Sequence, residues 1–451
     1  MSGNIRKSII VTLAVLFLVN PFGLPQARAS QAKLEAAMAY PTLLAGKKQT
    51  TFVKVGLTGF KLEADRERAA VNVALVLDKS GSMSGEKIAR AKEAAIAAIE
   101  RLQKKDIVSV VTYDSTVNVL VPATRLTDKE SVIAKIRQIE AGGSTALFGG
   151  VSKGAEEVRK FLGRERVNRV ILLSDGLANV GPQSPTELGD LGASLIKESI
   201  AVSTIGLGLD YNEDLMSNLA DKSDGTHVFV QSASDLVAFF NAEFDDVLSV
   251  VAQEVAIDIE CAEGIRPVRV INYDAEITGQ HVVVKFNQIY SQQEKYLVLE
   301  VEVPPTESGK QRPVATVSVS YTNMQTKTTD RLTSSINVNF SDATEVVERN
   351  TNKAVAVSCV VQVANDRNIQ AMLLRDKGDV EGARKMLQNI AEYLRQRNTQ
   401  LEDDELEDIA VLNVGQSEKL EGNDYLGSRK GMREQQQQTR ANAKPRAVPS
   451  R

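Results

Sequence analysis

The sequence lacks tryptophan, has only 5% aromatic residues and carries a formal net charge of −4 over 451 residues. Such a chain offers few aromatic faces for bases or sugars to stack on, and no basic excess for contacting phosphates. It has only two histidines, His227 and His281, and both fall in strand-like patterns typical of structural or surface positions. These absences argue against a nucleic-acid-binding protein and against a Ser-His-Asp hydrolase.

Cysteines are equally scarce, with only Cys261 and Cys359 in the chain. An exported compartment would permit a disulfide between them. They fall in segments that we assign to different substructures, and spacing alone does not pair them. Two buried free thiols are the alternative that we favour.

Long apolar runs are missing except near the amino terminus, where Arg6 and Lys7 precede the run Ile9–Val19 and then Ala27-Arg28-Ala29. This order of charged, apolar and small residues predicts a signal peptide over residues 1–29. The alternative is an uncleaved anchor, but the run is shorter than the roughly 20 residues that span a bilayer. We therefore expect an exported protein, periplasmic or secreted, with no membrane span after cleavage.

A chain of this length predicts two or three domains. Residues 71–248 alternate between apolar strand patterns and amphipathic helix patterns, which predicts an α/β fold with a doubly wound, mostly parallel sheet. In the segment Val73–Asp78, five consecutive apolar residues end in a carboxylate, as in a central strand buried on both faces.

The flanking segments have other patterns. Residues 47–70 and 251–341 show the alternation of half-buried strands, and we predict that they form one antiparallel β-sandwich in which the α/β domain is inserted or which flanks it. Residues 343–401 predict a C-terminal helical hairpin. The alanine-rich segment 31–46 is expected to be helical or mobile, and the acidic, then polar segment 402–451 to be largely disordered.

Oxygen-bearing side chains follow the first core strand at Asp78, Ser80 and Ser82. Their alternation along the backbone lets all three turn toward one point at the carboxyl end of the strand, where open α/β sheets bind ligands. Carboxylate and hydroxyl oxygens suit Mg²⁺, Ca²⁺ or Mn²⁺ better than zinc or copper. The pattern therefore predicts a cation site.

The segment Asp78-Lys-Ser80-Gly-Ser82 resembles the metal-ion-dependent adhesion site (MIDAS) of von Willebrand factor type A (VWA) domains, which have a Rossmann-like fold. Gly142-Gly-Ser-Thr145 and Ile171-Leu-Leu-Ser-Asp175-Gly resemble the second and third loops of that site. The chain is similar to bacterial exported VWA proteins of the calcium-activated chloride channel-like group. The resemblance implies a metal site of Asp78, Ser80, Ser82, Thr145 and Asp175, holding Mg²⁺ or else Mn²⁺ or Ca²⁺.

The same resemblance implies a non-enzymatic module for protein–protein interaction or cell adhesion, in which an acidic side chain of a partner completes the coordination of the metal.

Three alternatives stay open. Ser82, Ser84 and Thr145 could be ordinary helix caps. Asp78 and Asp175 could serve a metal-dependent hydrolase. The chain could also be an envelope assembly factor that acts through its C-terminal helices, with a merely stabilising metal. Asp210, Asp214 and Asp221 are interpreted as solvated turn residues.

Overall fold

The computed structural model describes residues 31–62 and 68–441, so the predicted signal peptide lies outside the described residues. The segment before the α/β region forms three strands, β1 (Lys33–Met38), β2 (Thr42–Leu44) and β3 (Gln49–Thr58). The expectation of a helical or mobile segment at 31–46 was wrong. β1 pairs antiparallel with β3 along its whole length, and this pairing overrides the helical preference of its alanines.

Strands and helices then alternate through the α/β region. Its elements are β4 (Ala70–Asp78), α1 (Glu86–Arg101), β5 (Ile107–Tyr113), β6 (Val117–Arg125), α2 (Lys129–Arg137), α3 (Leu147–Arg159), β7 (Arg166–Ser174), α4 (Pro185–Leu195), β8 (Ile200–Leu207), α5 (Glu213–Lys222), β9 (His227–Val230) and α6 (Leu236–Leu248).

These six strands form one sheet in the order β6-β5-β4-β7-β8-β9, in which only β6 runs antiparallel to its neighbour. Separate apolar clusters cover the two faces of the sheet. The prediction of a doubly wound, mostly parallel sheet is confirmed. Because β4 lies between β5 and β7, the carboxyl ends of these three strands meet at the centre of one edge.

The segment after the α/β region is antiparallel. It comprises β10 (Val250–Cys261), β11 (Arg266–Ile271), β12 (Glu276–Thr278), β13 (His281–Tyr290), β14 (Glu294–Val303), β15 (Gln311–Asn323) and β16 (Thr329–Ser341).

Strands from both sides of the α/β region share two sheets, in the orders β1-β3-β14-β11 and β12-β13-β10-β15-β16-β2. One apolar cluster with members from both sheets forms the interior of this sandwich. Because β3 pairs with β14 along ten residues, the α/β domain is an insertion between strands of a single β-module.

Five helices follow in the described part of the chain, namely α7 (Thr344–Arg349), α8 (Lys353–Asp376), α9 (Val380–Leu401), α10 (Asp404–Glu418) and α11 (Gly422–Ala441). The prediction of disorder after residue 402 was wrong for α10 and α11. The polar residues of α11 are buried against neighbours rather than solvated. Gln436 Nε2 donates to Asn368 Oδ1 at 2.7 Å and Gln437 Nε2 donates to the Gly225 carbonyl at 2.8 Å.

Charged residues attach α11 to the α/β domain. Lys430 Nζ is buried and donates to Glu213 Oε2 at 2.5 Å. Arg433 Nε donates to Asp214 Oδ1 at 2.7 Å, and Arg440 pairs with Asp221 at 2.9 Å. The interpretation of Asp214 and Asp221 as solvated turn residues was therefore wrong, because both are partners of the C-terminal helix.

Cys261 and Cys359 are both buried and free, which confirms the favoured alternative. Cys261 lies in the sandwich interior, and Cys359 lies in the apolar cluster beneath the C-terminal helices. None of the helices formed by residues 31–62 and 68–441 combines the length and apolarity needed to cross a membrane.

The protein should become less stable as the pH is lowered, because of His227. Burial lowers the pKa of His227 to about 4, below its ordinary value of 6.5. Between pH 6.5 and pH 4 the imidazole of His227 binds a proton in the unfolded chain but not in the folded chain. The free energy of unfolding therefore decreases as the pH falls from 6.5 toward 4. The contribution is about 3 kcal/mol, measurable as the free energy of unfolding by urea across this window. His227→Gln should flatten the profile.

His281→Gln is the matched control, since His281 is exposed on β13. This variant should keep the pH profile of the wild type. A wild-type slope in His227→Gln would contradict the assignment.

Candidate metal site

The candidate site is built around Asp78, the last residue of β4, which has no exposed surface. Its Oδ1 accepts a hydrogen bond from the backbone N–H of Ser80 at 2.8 Å, and its Oδ2 accepts one from Ser174 Oγ at 2.7 Å. Ser174 ends the neighbouring strand β7. The parallel register therefore aims the carboxylate across the sheet edge toward the third predicted loop.

A chain of hydrogen bonds links the first and third loops. Ser80 Oγ lies 3.1 Å from Ser82 Oγ, and Ser82 Oγ donates to Asp175 Oδ1 at 2.7 Å. Asp175 follows β7 directly and is fully buried, and Ser80 is 2% exposed. Four of the five predicted site residues are thus connected, directly or through Ser174.

The second loop approaches through backbone contacts. Gly142 N donates to the Lys79 carbonyl at 2.7 Å, and Gly81 N donates to the Gly143 carbonyl at 2.9 Å. Gly143 has φ +83°, a conformation that glycine adopts without steric penalty. A Cβ on Gly176 would lie 3.3 Å from Ser82 Oγ and 3.4 Å from Thr145 Oγ1. The hydroxyls of Thr145 and Ser82 therefore both lie against Gly176, the residue that follows Asp175.

The helix-cap alternative fails for these residues. Gly85 occupies the N-cap position of α1, and Ala146 occupies that of α3. Neither N-cap makes a side-chain capping bond. The Ser82 hydroxyl donates to Asp175, and the Thr145 hydroxyl lies against Gly176, instead of closing a helix end.

Electrostatics favour a cation at this centre. Burial raises the pKa of the Asp78 carboxyl above its ordinary value, and the nearby charge of Asp175 raises it further, while hydrogen bonds from Ser174 and Ser80 lower it. Lys87 Nζ donates to Asp175 Oδ2. Within the described part of the chain, no basic side chain pairs with Asp78. A second positive charge would relieve the buried carboxylates.

Two features of the site were missed from the sequence. Ser174 donates a hydrogen bond to Asp78, and Lys87 on α1 neutralises the charge of Asp175. The sequence shows a serine next to Asp175, but it does not show that the hydroxyl of this serine is directed toward Asp78. The ammonium of Lys79 pairs with Asp114 at the turn after β5. This pair helps to position the loop that carries Ser80.

The donor set fits a hard cation. Asp78, Ser80, Ser82, Thr145 and Asp175 offer only oxygen atoms, two of which belong to each carboxylate, as Mg²⁺, Mn²⁺ and Ca²⁺ prefer. In the described ranges no group of three or more histidine, cysteine, aspartate or glutamate side chains is placed to hold a metal ion. A cation bound here would therefore depend on hydroxyl oxygens.

Comparison with known families agrees with this architecture. Residues 72–243 match the model of the von Willebrand factor type A domain. This part of the chain is a VWA domain, set into a β-sandwich and bound by C-terminal helices.

Similar proteins occur in bacteria and vertebrates. The chain is 25% identical over 343 residues to sll0103 of Synechocystis sp., covering 73% of this chain and 80% of that protein. It is 28% identical over 214 residues to YfbK of Escherichia coli, covering 47% of this chain and 37% of YfbK. It is 30% identical over 171 residues to calcium-activated chloride channel regulator 1 of Bos taurus, covering 37% of this chain and 18% of the regulator.

Solved structures share the fold beyond the VWA domain. A von Willebrand factor type A protein from Catenulispora acidiphila aligns with a TM-score of 0.69 and 16% identity, covering 93% of this chain and 98% of that one. The ArnB paralog VWA2 from Sulfolobus acidocaldarius aligns with a TM-score of 0.60 and 17% identity, covering 91% and 99%. The three-part architecture is therefore shared across nearly the whole chain.

A methyl group at Gly176 should disturb the site. Gly176→Ala would place a Cβ 3.3 Å from the Ser82 hydroxyl, so that this hydroxyl would have to move by a few tenths of an ångström. We expect roughly tenfold weaker Mg²⁺ binding, measured by calorimetric titration. Gly142→Ala is the matched control, because a Cβ there meets no atom within 4 Å. Equal Mg²⁺ affinities in the two variants would show that Gly176 does not shape the site.

Proposed function

We propose that this protein is an exported, non-enzymatic binding protein that holds Mg²⁺, or alternatively Mn²⁺ or Ca²⁺, and uses it to bind an acidic side chain of a partner protein. Asp78, Ser80, Ser82, Thr145 and Asp175 would hold the cation. The cation would supply an electrophilic centre that a partner carboxylate can coordinate. The VWA domain supports the general class, since VWA domains commonly mediate protein–protein interaction.

One observation carries the proposal: the buried carboxylates of Asp78 and Asp175 lie among hydroxyl groups at the sheet edge, and within the described residues Lys87 is their only cationic partner. Hydroxyl ligands are neutral, so the two carboxylates only balance the charge of a divalent ion, and the ammonium of Lys87 makes the site positive overall. A carboxylate of a partner is therefore attracted to the site rather than repelled.

Binding is a better account of this site than catalysis. A hydrolase would need a general base beside the metal. His227 is buried and hydrogen-bonded to Thr204 on the far strands of the sheet, and His281 is exposed on the sandwich. Lys79 and Lys87 are each paired with a carboxylate. Among the residues that the structure describes, these assignments leave no unpaired histidine or lysine near the site for proton transfer.

The proposal also places the mature protein in the periplasm or outside the cell, on the strength of the leader-like sequence at residues 1–29. A partner would then be an envelope or extracellular protein. Nucleic acid is an unsuitable partner for an acidic chain with few aromatic residues.

Replacing the central carboxylate tests the cation site. Asp78→Asn removes a buried charge whose ionisation the folded protein disfavours, so the variant should stay folded in chelator with an unchanged or higher melting temperature. It should lose the heat of binding and the rise in melting temperature that Mg²⁺, Mn²⁺ or Ca²⁺ give the wild type. Asp190→Asn, on the exposed face of α4, should behave as the wild type. Absence of cation binding by the wild type would overturn the proposal.

The partner is tested by affinity capture from an envelope extract. We expect the wild-type protein to capture one set of proteins in the presence of Mg²⁺. The same proteins should not be captured by the wild type in chelator, nor by the Asp78→Asn variant in Mg²⁺. Proteins that bind equally well in chelator would instead indicate an assembly surface independent of the metal.

A further inference from the structure

A second concave site lies where the VWA domain, the sandwich and α11 meet. The cavity has a volume of about 660 Å³, within the range typical of small-molecule sites. Its VWA wall comes from the end of α4 and the start of β8, so it lies at the amino ends of the parallel strands, opposite the candidate metal site. It is therefore separate from the site described above.

Apolar side chains form much of the lining. Ala193 and Ile196 contribute from the VWA domain, and Ala256 and Val283 from the sandwich strands. Tyr273 and Phe286 add aromatic surface, with ring centroids 5.1 Å apart. This surface suits the hydrocarbon or aromatic body of a ligand.

Asn287 supplies a donor without a partner. Its side chain is 3% exposed, lines the cavity and has no hydrogen-bond partner for Nδ2. Its backbone N–H is already used, because it donates to Asp224 Oδ2 at 2.5 Å. A buried amide left unsatisfied costs about 1–3 kcal/mol, so Asn287 points to a ligand that brings an acceptor.

The charges around the cavity also favour an acceptor. Most of its carboxylates are paired with bases, as Glu254 is with Arg164 and Asp221 is with Arg440. Lys197 and Lys285 are exposed and pair with no carboxylate in the described ranges. Lys285 shares a face of β13 with Asn287, two residues away, because side chains alternate along a strand. Two exposed acids line the rim, namely Asp274, which pairs with Lys222 at 2.6 Å, and Glu276.

Backbone strain is concentrated at the same place. Seven non-glycine residues in the described ranges have positive φ, and three of them, Ser199 (59°), Asp224 (56°) and Glu254 (52°), line this cavity. Glu254 lies where the register between β10 and β15 shifts. Such conformations persist only where the surroundings impose them, and they cluster at ligand sites.

From the unpartnered Asn287 amide, the unpaired Lys285 and the apolar walls, we infer that this cavity binds a small amphipathic anion, with a carboxylate or sulfonate toward Asn287 and Lys285 and an apolar body against Ile196 and Val283.

The test uses the full mature chain and two probes of matched shape, naphthalene-2-sulfonate and neutral 2-naphthol. Calorimetric titration should show binding of the sulfonate and at least tenfold weaker binding of the naphthol. Asn287→Leu and Lys285→Gln should each weaken sulfonate binding by about tenfold. Lys310→Gln, at an exposed lysine outside the cavity, should leave it unchanged.

Absence of sulfonate binding, equal binding of both probes, or an affinity unchanged in both Asn287→Leu and Lys285→Gln would overturn the inference. Lys285 is on the surface, so Lys285→Gln keeps the test valid even if Asn287→Leu does not fold. Chelator should have no effect on this site, which separates its failure from that of the proposed metal-dependent function.

Discussion

The burial of Asp78 and Asp175 together at the edge of one sheet is the constraint on which the site depends. Removing a carboxylate from water disfavours its charge, and a second carboxylate nearby disfavours it further. The two buried carboxylates are stabilised by hydrogen bonds from Ser174, Ser82 and the Ser80 backbone, and by the ammonium of Lys87. Further acidic residues would only deepen the repulsion, which explains why the remaining oxygens are hydroxyls.

This arrangement requires a rigid sheet beneath it. β4, β5 and β7 supply the rigidity through parallel pairing and apolar cover on both faces. At the opposite end, the buried Arg169 donates to Ser203 Oγ at 2.6 Å and to Tyr290 Oη at 2.9 Å. Because Tyr290 belongs to the sandwich, this arginine joins the two modules where the chain passes from α6 into β10. This junction is therefore separate from the carboxyl ends of β4 and β7, which carry the candidate site.

The parallel sheet could be predicted from the sequence because β4 and β7 are continuous apolar runs. Asp78, Ser80 and Ser82 could be predicted as neighbours because their alternate spacing turns their side chains toward the same side at the end of β4. Thr145 and Asp175 came from family resemblance, since nothing local brings distant loops together. α11 escaped prediction because its glutamines and arginines are buried by hydrogen bonds and ion pairs, which leave no apolar periodicity. The roles of Lys87 and Ser174 depend on side-chain direction, which composition does not encode.

The same helix connects the two ends of the VWA domain. Lys430 contacts Glu213 near the start of α5, and Arg440 contacts Asp221 near its end, so α11 runs beside α5 in the same direction. The loop before α5 approaches the metal site, where a Cβ on Gly208 would lie 4.0 Å from Lys87 Nζ. The residues after α5 line the cavity at the other end. Moving α5 would break buried ion pairs, and separating such pairs is strongly unfavourable. α11 therefore fixes one wall of the cavity and the loop beside the carboxylates as parts of a single unit.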